Sequence, residues 1–208
     1  MKGVVFDAFG TLVSITDPRR PYRALRELAA ITSDDFALRV LCSDMSLAEV
    51  ARYYHASINP AVMRRLEEDL HAEVASVEPF PDAVRAVRAL RDAGIPIAIC
   101  SNLASPYAAP VLRHFPDGWD HLEWSFAAGI AKPSPAVYAQ VSAGLSLAPA
   151  QILMVGDTWS ADVEGPRAAG MQARLIDRSG RSGKGALDAV VSLEALAQEI
   201  VRHHAADR

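Results

Sequence analysis

Asp7 closes the apolar run "VVFD". A carboxylate at the end of a buried strand stands where an open parallel sheet binds its ligands. The same logic picks out further polar groups. The run "IAIC" stops at Ser101 and Asn102, and the run "ILMV" stops at Gly156 and Asp157, with Asp162 five residues on. Lys132 lies in the loop "AGIAKPSP", just before a helix. Acids, a hydroxyl and a lysine are thereby drawn to one edge of one sheet. Each alone has an ordinary explanation: a strand-end Asp caps the next helix, "SN" is a turn, and "KP" is a loop. Their order and spacing together point to a ligand site.

Four stretches, "VVFDAFGTLV", "ICSNLA", "GIAKPSP" and "VGDTWSADVEGPRAAGM", resemble in order the four motifs of the haloacid dehalogenase-like hydrolases. The resemblance covers the whole chain. It implies a Rossmann-like α/β core with an α-helical cap inserted after the first strand. It implies that Asp7 is the nucleophile, forming a covalent ester that water then hydrolyses. Lys132 would hold nucleophile and phosphate together against their mutual repulsion. Ser101, the backbone N–H groups near Asn102, and the turn at Gly10 and Thr11 would bind the substrate. Asp7, Asp157, Asp162 and the backbone carbonyl of Phe9 would hold Mg²⁺, which favours carboxylates, waters and phosphate oxygens in octahedral array. Asp162 also suits the first turn of a helix, where the dipole favours an acid. Trp159 is either a wall of the site or simple packing.

Two departures from the family pattern bear on the reaction. Phosphatases of the family resemble "DxDGT", with a second aspartate as general acid and base; this chain has Phe9 there. The dehalogenase branch carries an aromatic residue at this place, in "DAYGT", because halide leaves without a proton. The fourth motif argues the other way. The dehalogenase stretch resembles "SSNxWD", whereas this chain keeps the metal-binding form "GDTWSAD", with Ala161 where an Asn is usual. A dehalogenase also needs a cap arginine, and Arg19, Arg20, Arg23, Arg26 and Arg39 are all candidates, though an exposed charged helix face accounts for most of them. The leading expectation is Mg²⁺-dependent hydrolysis of a small phosphorylated metabolite. A 2-haloacid dehalogenase is the alternative, and a weakly catalytic ligand- or partner-binding member is the third reading.

From about residue 79 the chain alternates strand and helix patterns. "PDAVRAVRALRDAG" is an amphipathic helix, "IPIAICSN" a buried strand, "SPYAAPVLRHF" a helix and "LEWSFA" a strand. "SPAVYAQVSAGL" is a helix with Pro135 in its first turn. "AQILMVGD" is a strand, "SADVEGPRAAG" a helix and "MQARLID" a strand, with "AVVSL" and "EALAQEIVRHH" completing the chain. Such alternation implies a parallel sheet covered on both faces, with near-continuously apolar strands. Residues 14–78 read as helical throughout. The expected organisation is therefore a core of residues 1–13 with 79–208, and a helical cap of residues 14–78. "RSGRSGKG", residues 178–185, reads as a flexible surface loop.

The bulk properties are those of a soluble enzyme. Half of the 208 residues are apolar, 22% are charged, and the net charge is −4. No basic run with interleaved aromatics points to nucleic acid, and no apolar run approaches the ~20 residues that span a bilayer. The start "MKGVVFD" reads as a strand and not a signal peptide. Cys42 and Cys100 suggest no disulfide framework, which fits a reducing cytoplasm. The six histidines show no metal-ligand spacing. The expected partner is a small-molecule substrate, for a chain working as a monomer or homodimer.

Overall fold

The computed structural model describes residues 1–178 and 189–206. Six strands form one parallel sheet: β1 (Gly3–Phe6), β4 (Ile97–Ser101), β5 (His121–Trp124), β6 (Ile152–Gly156), β7 (Gln172–Ile176) and β8 (Ala189–Val190). Their order is β5-β4-β1-β6-β7-β8. The first strand is central, bonded to β4 on one side and β6 on the other, with Phe6 opposite both Ile99 and Val155. The sequence leaves β1 in opposite directions along the sheet at this point, so a crevice opens beyond its carboxyl end.

Successive side chains of a strand face opposite ways, and both faces here are covered. Val4 and Phe6 belong to one core with Ile97, Ile99, Leu153 and Val155. Val5 belongs to the other, with Ala98, Cys100, Ile152 and Met154. The first face is covered by α5 (Pro81–Asp92) and α10 (Leu193–Ala206), which pack on each other. The second carries α8 (Pro135–Gly144), through Val137, Tyr138 and Val141. Pro135 does stand at the start of its helix, where its missing N–H costs nothing. The remaining core elements are α6 (Ala108–His114), α7 (Ser125–Ala128) and α9 (Gly165–Ala168).

Four helices follow the first strand: α1 (Pro21–Leu28), α2 (Phe36–Leu41), α3 (Leu47–Tyr53) and α4 (Pro60–Ala75). Ser46 and Glu49 form a reciprocal capping box that starts α3, and Asn59 caps α4 ahead of Pro60. Leu25, Phe36, Leu47 and Leu66 bury themselves in the same apolar cluster as Phe6. The reading of residues 14–78 as helical throughout is corrected at both ends. β2 (Val13–Ile15) and β3 (Val77–Pro79) form an antiparallel ribbon, with Ser14 opposite Glu78 and Ile15 opposite Val77. These strands are three residues long and their partners lie some 60 positions away, so no local periodicity reveals them.

Three further boundaries differ from expectation. The strand in "LEWSFA" stops at Trp124, because Ser125 starts α7 and its hydroxyl is tied to Leu41 and Leu103. "SPYAAPVLRHF" opens with a 3₁₀ turn at Ser105–Tyr107. "SADVEGPRAAG" opens as a π-helical turn, Trp159–Glu164, before α9. Apart from Arg178, the loop expected at 178–185 lies outside the described residues. Cys42 and Cys100 are both free, and Cys100 packs in the core. Among the described residues no helix is long and apolar enough to cross a membrane.

Candidate active site

The carboxyl ends of β1, β4 and β6 meet at a cavity of about 240 Å³, lined by Asp7, Phe9, Ser101, Asn102, Lys132, Asp157, Thr158, Ala161 and Asp162. Asp7 is held rigidly: its own N–H continues the sheet by donating to the Val155 carbonyl at 2.9 Å. Lys132 reaches in from the loop before α8 and donates to Asp7 Oδ1 at 2.8 Å and to Asp162 Oδ1 at 2.6 Å. Its main chain is gripped by the Asn102 side chain, whose Oδ1 accepts from the Lys132 N–H and whose Nδ2 donates to the Lys132 carbonyl, both at 2.8 Å. Asp162 spends its second oxygen on the Thr158 N–H at 2.9 Å. Asp162 thus stands in the first turn of a helical segment, as its sequence position suits, and faces Lys132 as well.

Asp7, Asp157 and Asp162 each offer an oxygen within 4.8 Å of the other two. Three carboxylates face one ammonium, so the site is short of positive charge. Burial opposes charge on Lys132, but Asp7 and Asp162 outweigh it and hold the amine protonated. Burial pushes the Asp162 carboxyl up to about 6, with Asp7 adding to the rise and Lys132 opposing it. Asp157 stands at the open side of the cavity, yet desolvation of its carboxyl, and then the charge of Asp7, raise its pKa as well. An all-oxygen donor set with surplus negative charge fits a hard divalent cation.

Two glycines make this crowding possible. A Cβ on Gly10, whose φ is +80°, would strike the Asp157 carboxylate. A Cβ on Gly156 would strike the Asp162 carboxyl. Both positions therefore require the missing side chain rather than a flexible turn.

The structure brings together seven of the residues singled out in the sequence: Asp7, Phe9, Ser101, Asn102, Lys132, Asp157 and Asp162 all line one cavity. Thr11 does not join them. It is fully buried, its hydroxyl meets no partner among the described residues, and its carbonyl accepts from Arg178 at 2.7 Å. The Asn102 side-chain amide is committed to Lys132, which leaves the backbone N–H groups near it as the expected phosphate donors. Sequence reasoning also missed Thr158, whose N–H orients Asp162, although it sits inside "GDTWSAD". Ala161 leaves its carbonyl to the Tyr138 hydroxyl at 2.7 Å. Trp159 packs partly buried against the second core.

Phe9 forms part of the wall between this polar cavity and a larger one. The second cavity, about 440 Å³, lies between the core and α1–α2, and Phe9 and Asn102 line both. Phe9 meets Tyr107 edge to face, with ring centroids 5.8 Å apart. The Tyr107 hydroxyl donates to Glu73 of α4 at 2.5 Å, and the other Glu73 oxygen accepts from the Arg19 and Arg20 N–H groups. None of the candidate arginines lines the Asp7 cavity, although Arg23 and Arg26 line the larger one beside it. Arg19 pairs with Asp17 and Asp69, Arg23 with Glu27, and Arg39 stacks on Tyr53. Arg26 donates to the Ile31 and Ser33 carbonyls.

Comparison with known proteins agrees with this geometry. Over 128 residues the chain is 32% identical to Phosphatase MT3486 of Mycobacterium tuberculosis, a match covering 59% of this chain and 58% of that protein. It is 24% identical over 197 residues to (S)-2-haloacid dehalogenase H-109 of Pseudomonas putida, covering 86% of this chain and 87% of that one. Among solved structures, a HAD phosphatase from Thermococcus onnurineus superposes with a TM-score of 0.68 at 24% identity, covering 96% of this chain and 98% of that one. A 2-haloacid dehalogenase from Pseudomonas syringae pv. tomato reaches 0.69 at 18% identity, with 98% and 99% covered. At these identities the two structures establish the fold alone. A profile of the family matches residues 1–170, most of the chain. The chain belongs to the haloacid dehalogenase-like hydrolases.

Proposed function

We propose that this hydrolase cleaves a small phosphorylated metabolite in a Mg²⁺-dependent reaction, with Asp7 as nucleophile. The observation that carries the reading is the three-carboxylate cluster of Asp7, Asp157 and Asp162 against the single lysine. Asp7, Asp157, Asp162 and the Phe9 carbonyl would hold the metal, Asp162 also meeting Lys132 and Thr158. When bound, Mg²⁺ supplies positive charge to the phosphate oxygens.

The chain's own groups do the rest. An Asp7 oxygen forms a bond to phosphorus as the bond to the leaving oxygen breaks, and the leaving group departs with that electron pair. Water then attacks phosphorus, the aspartyl–phosphorus bond breaks, and Asp7 is released as a carboxylate with inorganic phosphate. The proton lost by water balances the one gained by the departing alcohol. Lys132 offsets repulsion between the carboxylate and the phosphate, while Ser101 lines the phosphate's place. Residues 14–78 act as a cap over the crevice, and residues 1–13 with 79–208 form the catalytic core. The two free cysteines support a reducing, cytoplasmic setting, with the enzyme a monomer or homodimer.

A second reading keeps one specific support. Phe9 stands where a phosphatase carries its acid, and a 2-haloacid dehalogenase needs none. A hydrolysis screen with phosphomonoesters and 2-haloacids, each with and without Mg²⁺, separates the two. Phosphate release that depends on Mg²⁺ supports the proposal. Haloacid turnover indifferent to Mg²⁺, without phosphate release, overturns it. Asp7→Asn must abolish whichever activity is found, because the amide is isosteric but a poor nucleophile.

A further inference from the structure

The larger cavity beside the site has no role in the chemistry described so far. It holds about 440 Å³, within the range of pockets that take a drug-sized ligand, and so is roomier than a three-carbon haloacid needs. Its wall is aromatic and aliphatic: Phe9, Tyr22, Phe36, Val40, Leu103 and Tyr107. The arginines at its edge have their guanidinium groups engaged elsewhere, Arg23 by Glu27 and Arg26 by two carbonyls. A polyhydroxylated leaving group would lose its water here without recovering the hydrogen bonds, which is unfavourable for each hydroxyl buried. Two further polar groups of its lining are also committed: the Asn102 amide is tied to Lys132 and the Tyr107 hydroxyl to Glu73. Phe9 joins this cavity to Asp7, so a phosphate seated against Asp7 and Lys132 would direct its ester group past the Phe9 ring.

Phe9 carries a second, independent message. It offers no proton to the leaving oxygen, so the leaving group must be stable as an anion. Alkoxides are poor in this respect and phenolates are good. Cavity lining and missing acid converge on one class. We infer that the substrate is an aryl phosphate monoester whose ring occupies the cavity between Phe9 and α2, an inference that rests on the phosphoryl-transfer reading above. The phosphorus–oxygen bond breaks with both electrons going to the aryl oxygen, which leaves as a phenolate and takes its proton from solvent. Water replaces it on phosphorus in the second half-reaction.

The test compares 1-naphthyl phosphate with acetyl phosphate, in Mg²⁺, by phosphate release. Acetyl phosphate carries a good leaving group too small to use the cavity, so it reports the Asp7 chemistry alone. The expected result is a KM at least about tenfold lower for the naphthyl ester, from burial of its rings. Ala37→Trp, at an exposed position of α2 that lines the cavity, should lower the naphthyl-to-acetyl ratio of kcat/KM by at least about tenfold. Turnover of acetyl phosphate with no naphthyl preference, or a ratio untouched by a folded Ala37→Trp, overturns the cavity assignment and leaves the phosphatase reading standing. Absence of phosphate release from both esters overturns the phosphatase reading and this inference with it. Should Ala37→Trp fail to fold, 1-naphthol is tested as an inhibitor of wild-type turnover of 1-naphthyl phosphate. Competitive inhibition supports the assignment, and no inhibition overturns it.

Discussion

Asn102 grips the main chain of Lys132 from both sides, its Oδ1 accepting from the lysine N–H and its Nδ2 donating to the lysine carbonyl, each at 2.8 Å. The two residues are 30 positions apart. Asn102 follows directly on β4, and the grip fixes where the Lys132 loop crosses the sheet edge. It sets how far the ammonium reaches toward Asp7 and Asp162. Asn102 is thus a positioning residue. Asn102→Asp keeps an acceptor but loses the donor and faces a carboxylate to the Lys132 carbonyl. A displacement of the order of 1 Å costs about 10²-fold in rate, so kcat should fall by about that factor while KM moves little. Steady-state kinetics read the split. A rise in KM with kcat unchanged would return Asn102 to a substrate-binding role.

Lys132 itself carries a stability prediction. Its ammonium is buried between Asp7 and Asp162. Lys132→Met leaves these acids, and nearby Asp157, without their cation. Breaking a buried pair by removing one partner typically costs about 3–5 kcal/mol. The pH dependence follows from the raised Asp162 carboxyl, which lies at about 6 even with the lysine present. A carboxyl with a raised folded-state pKa adds stability below its unfolded pKa and loses it as pH rises through the folded value. The deficit of Lys132→Met should therefore be largest above pH ~7 and shrink toward pH ~5. Denaturant melts across that range check it, and a deficit constant with pH would show that lost packing dominates.

A metal effect should appear without any turnover. A ligand that binds only the native state stabilises it by about 2.7 kcal/mol at a hundredfold excess over Kd. For a domain of this size that raises Tm by roughly 5–10 °C. Asp157→Asn should remove the Mg²⁺ response. In the absence of metal it should make the protein more stable at neutral pH, because the Asp157 carboxylate is desolvated and crowded by Asp7. Gly10→Ala should also blunt the response, by pushing its new Cβ into the Asp157 carboxylate. A wild-type melting curve indifferent to Mg²⁺ favours the dehalogenase reading.

Away from the site, Asp82 anchors α5. Its carboxylate accepts from Arg178 at 2.7 and 2.8 Å and from the Leu193 N–H at 2.8 Å. Burial works to raise its pKa, but these bonds outweigh burial and hold it below the ordinary 3.8. A depressed carboxylate contributes stability above its unfolded pKa and loses it as pH falls through the folded one. Asp82→Ala should cost about 1–3 kcal/mol at neutral pH. The difference from wild type should fade below pH ~4. Paired melts at pH 7 and pH 3 measure it.

What could be read from residues alone follows from range. The strand patterns ending at Asp7, Asn102 and Asp157 are local, and one topological rule carries all three to the same sheet edge. The metal-suited acids were legible for that reason. The Asn102 grip, the β2–β3 ribbon and the Tyr107–Glu73 bond join residues 30 or more positions apart, and no periodicity announces them. Thr11 reads from the sequence as part of a turn around the bound group, and nothing local to that turn says which way its side chain points. Its hydroxyl is in fact turned inward. The π-helical turn at Trp159–Glu164 arises where Asp162 must reach Lys132 and Thr158 at once, a demand that helix propensity does not encode.

Phe9 sets how turnover depends on the leaving group. In the wild type, aryl phosphates such as p-nitrophenyl phosphate should be cleaved and alkyl phosphates hardly at all, because nothing at this position protonates an alkoxide. Phe9→Asp restores a carboxyl there. General acid–base catalysis contributes about 10²–10⁴-fold, so alkyl phosphate turnover should rise by about tenfold or more. The substitution also removes the edge-to-face contact with Tyr107, worth about 0.5–1.5 kcal/mol. It places a carboxyl beside an apolar wall as well. Rates must therefore be compared on protein shown by circular dichroism to be folded. The aryl rate separates the two effects: damage to the site lowers aryl and alkyl turnover together, whereas a restored acid raises the alkyl rate relative to the aryl one. A dehalogenase gives the opposite pattern, with little phosphatase activity in either form and haloacid turnover lost once Phe9 is replaced by a charge. Equal aryl and alkyl rates in the wild type would mean that another group supplies the proton. Glu73, the buried acid bonded to Tyr107 behind the Phe9 ring, would then be the first residue to substitute.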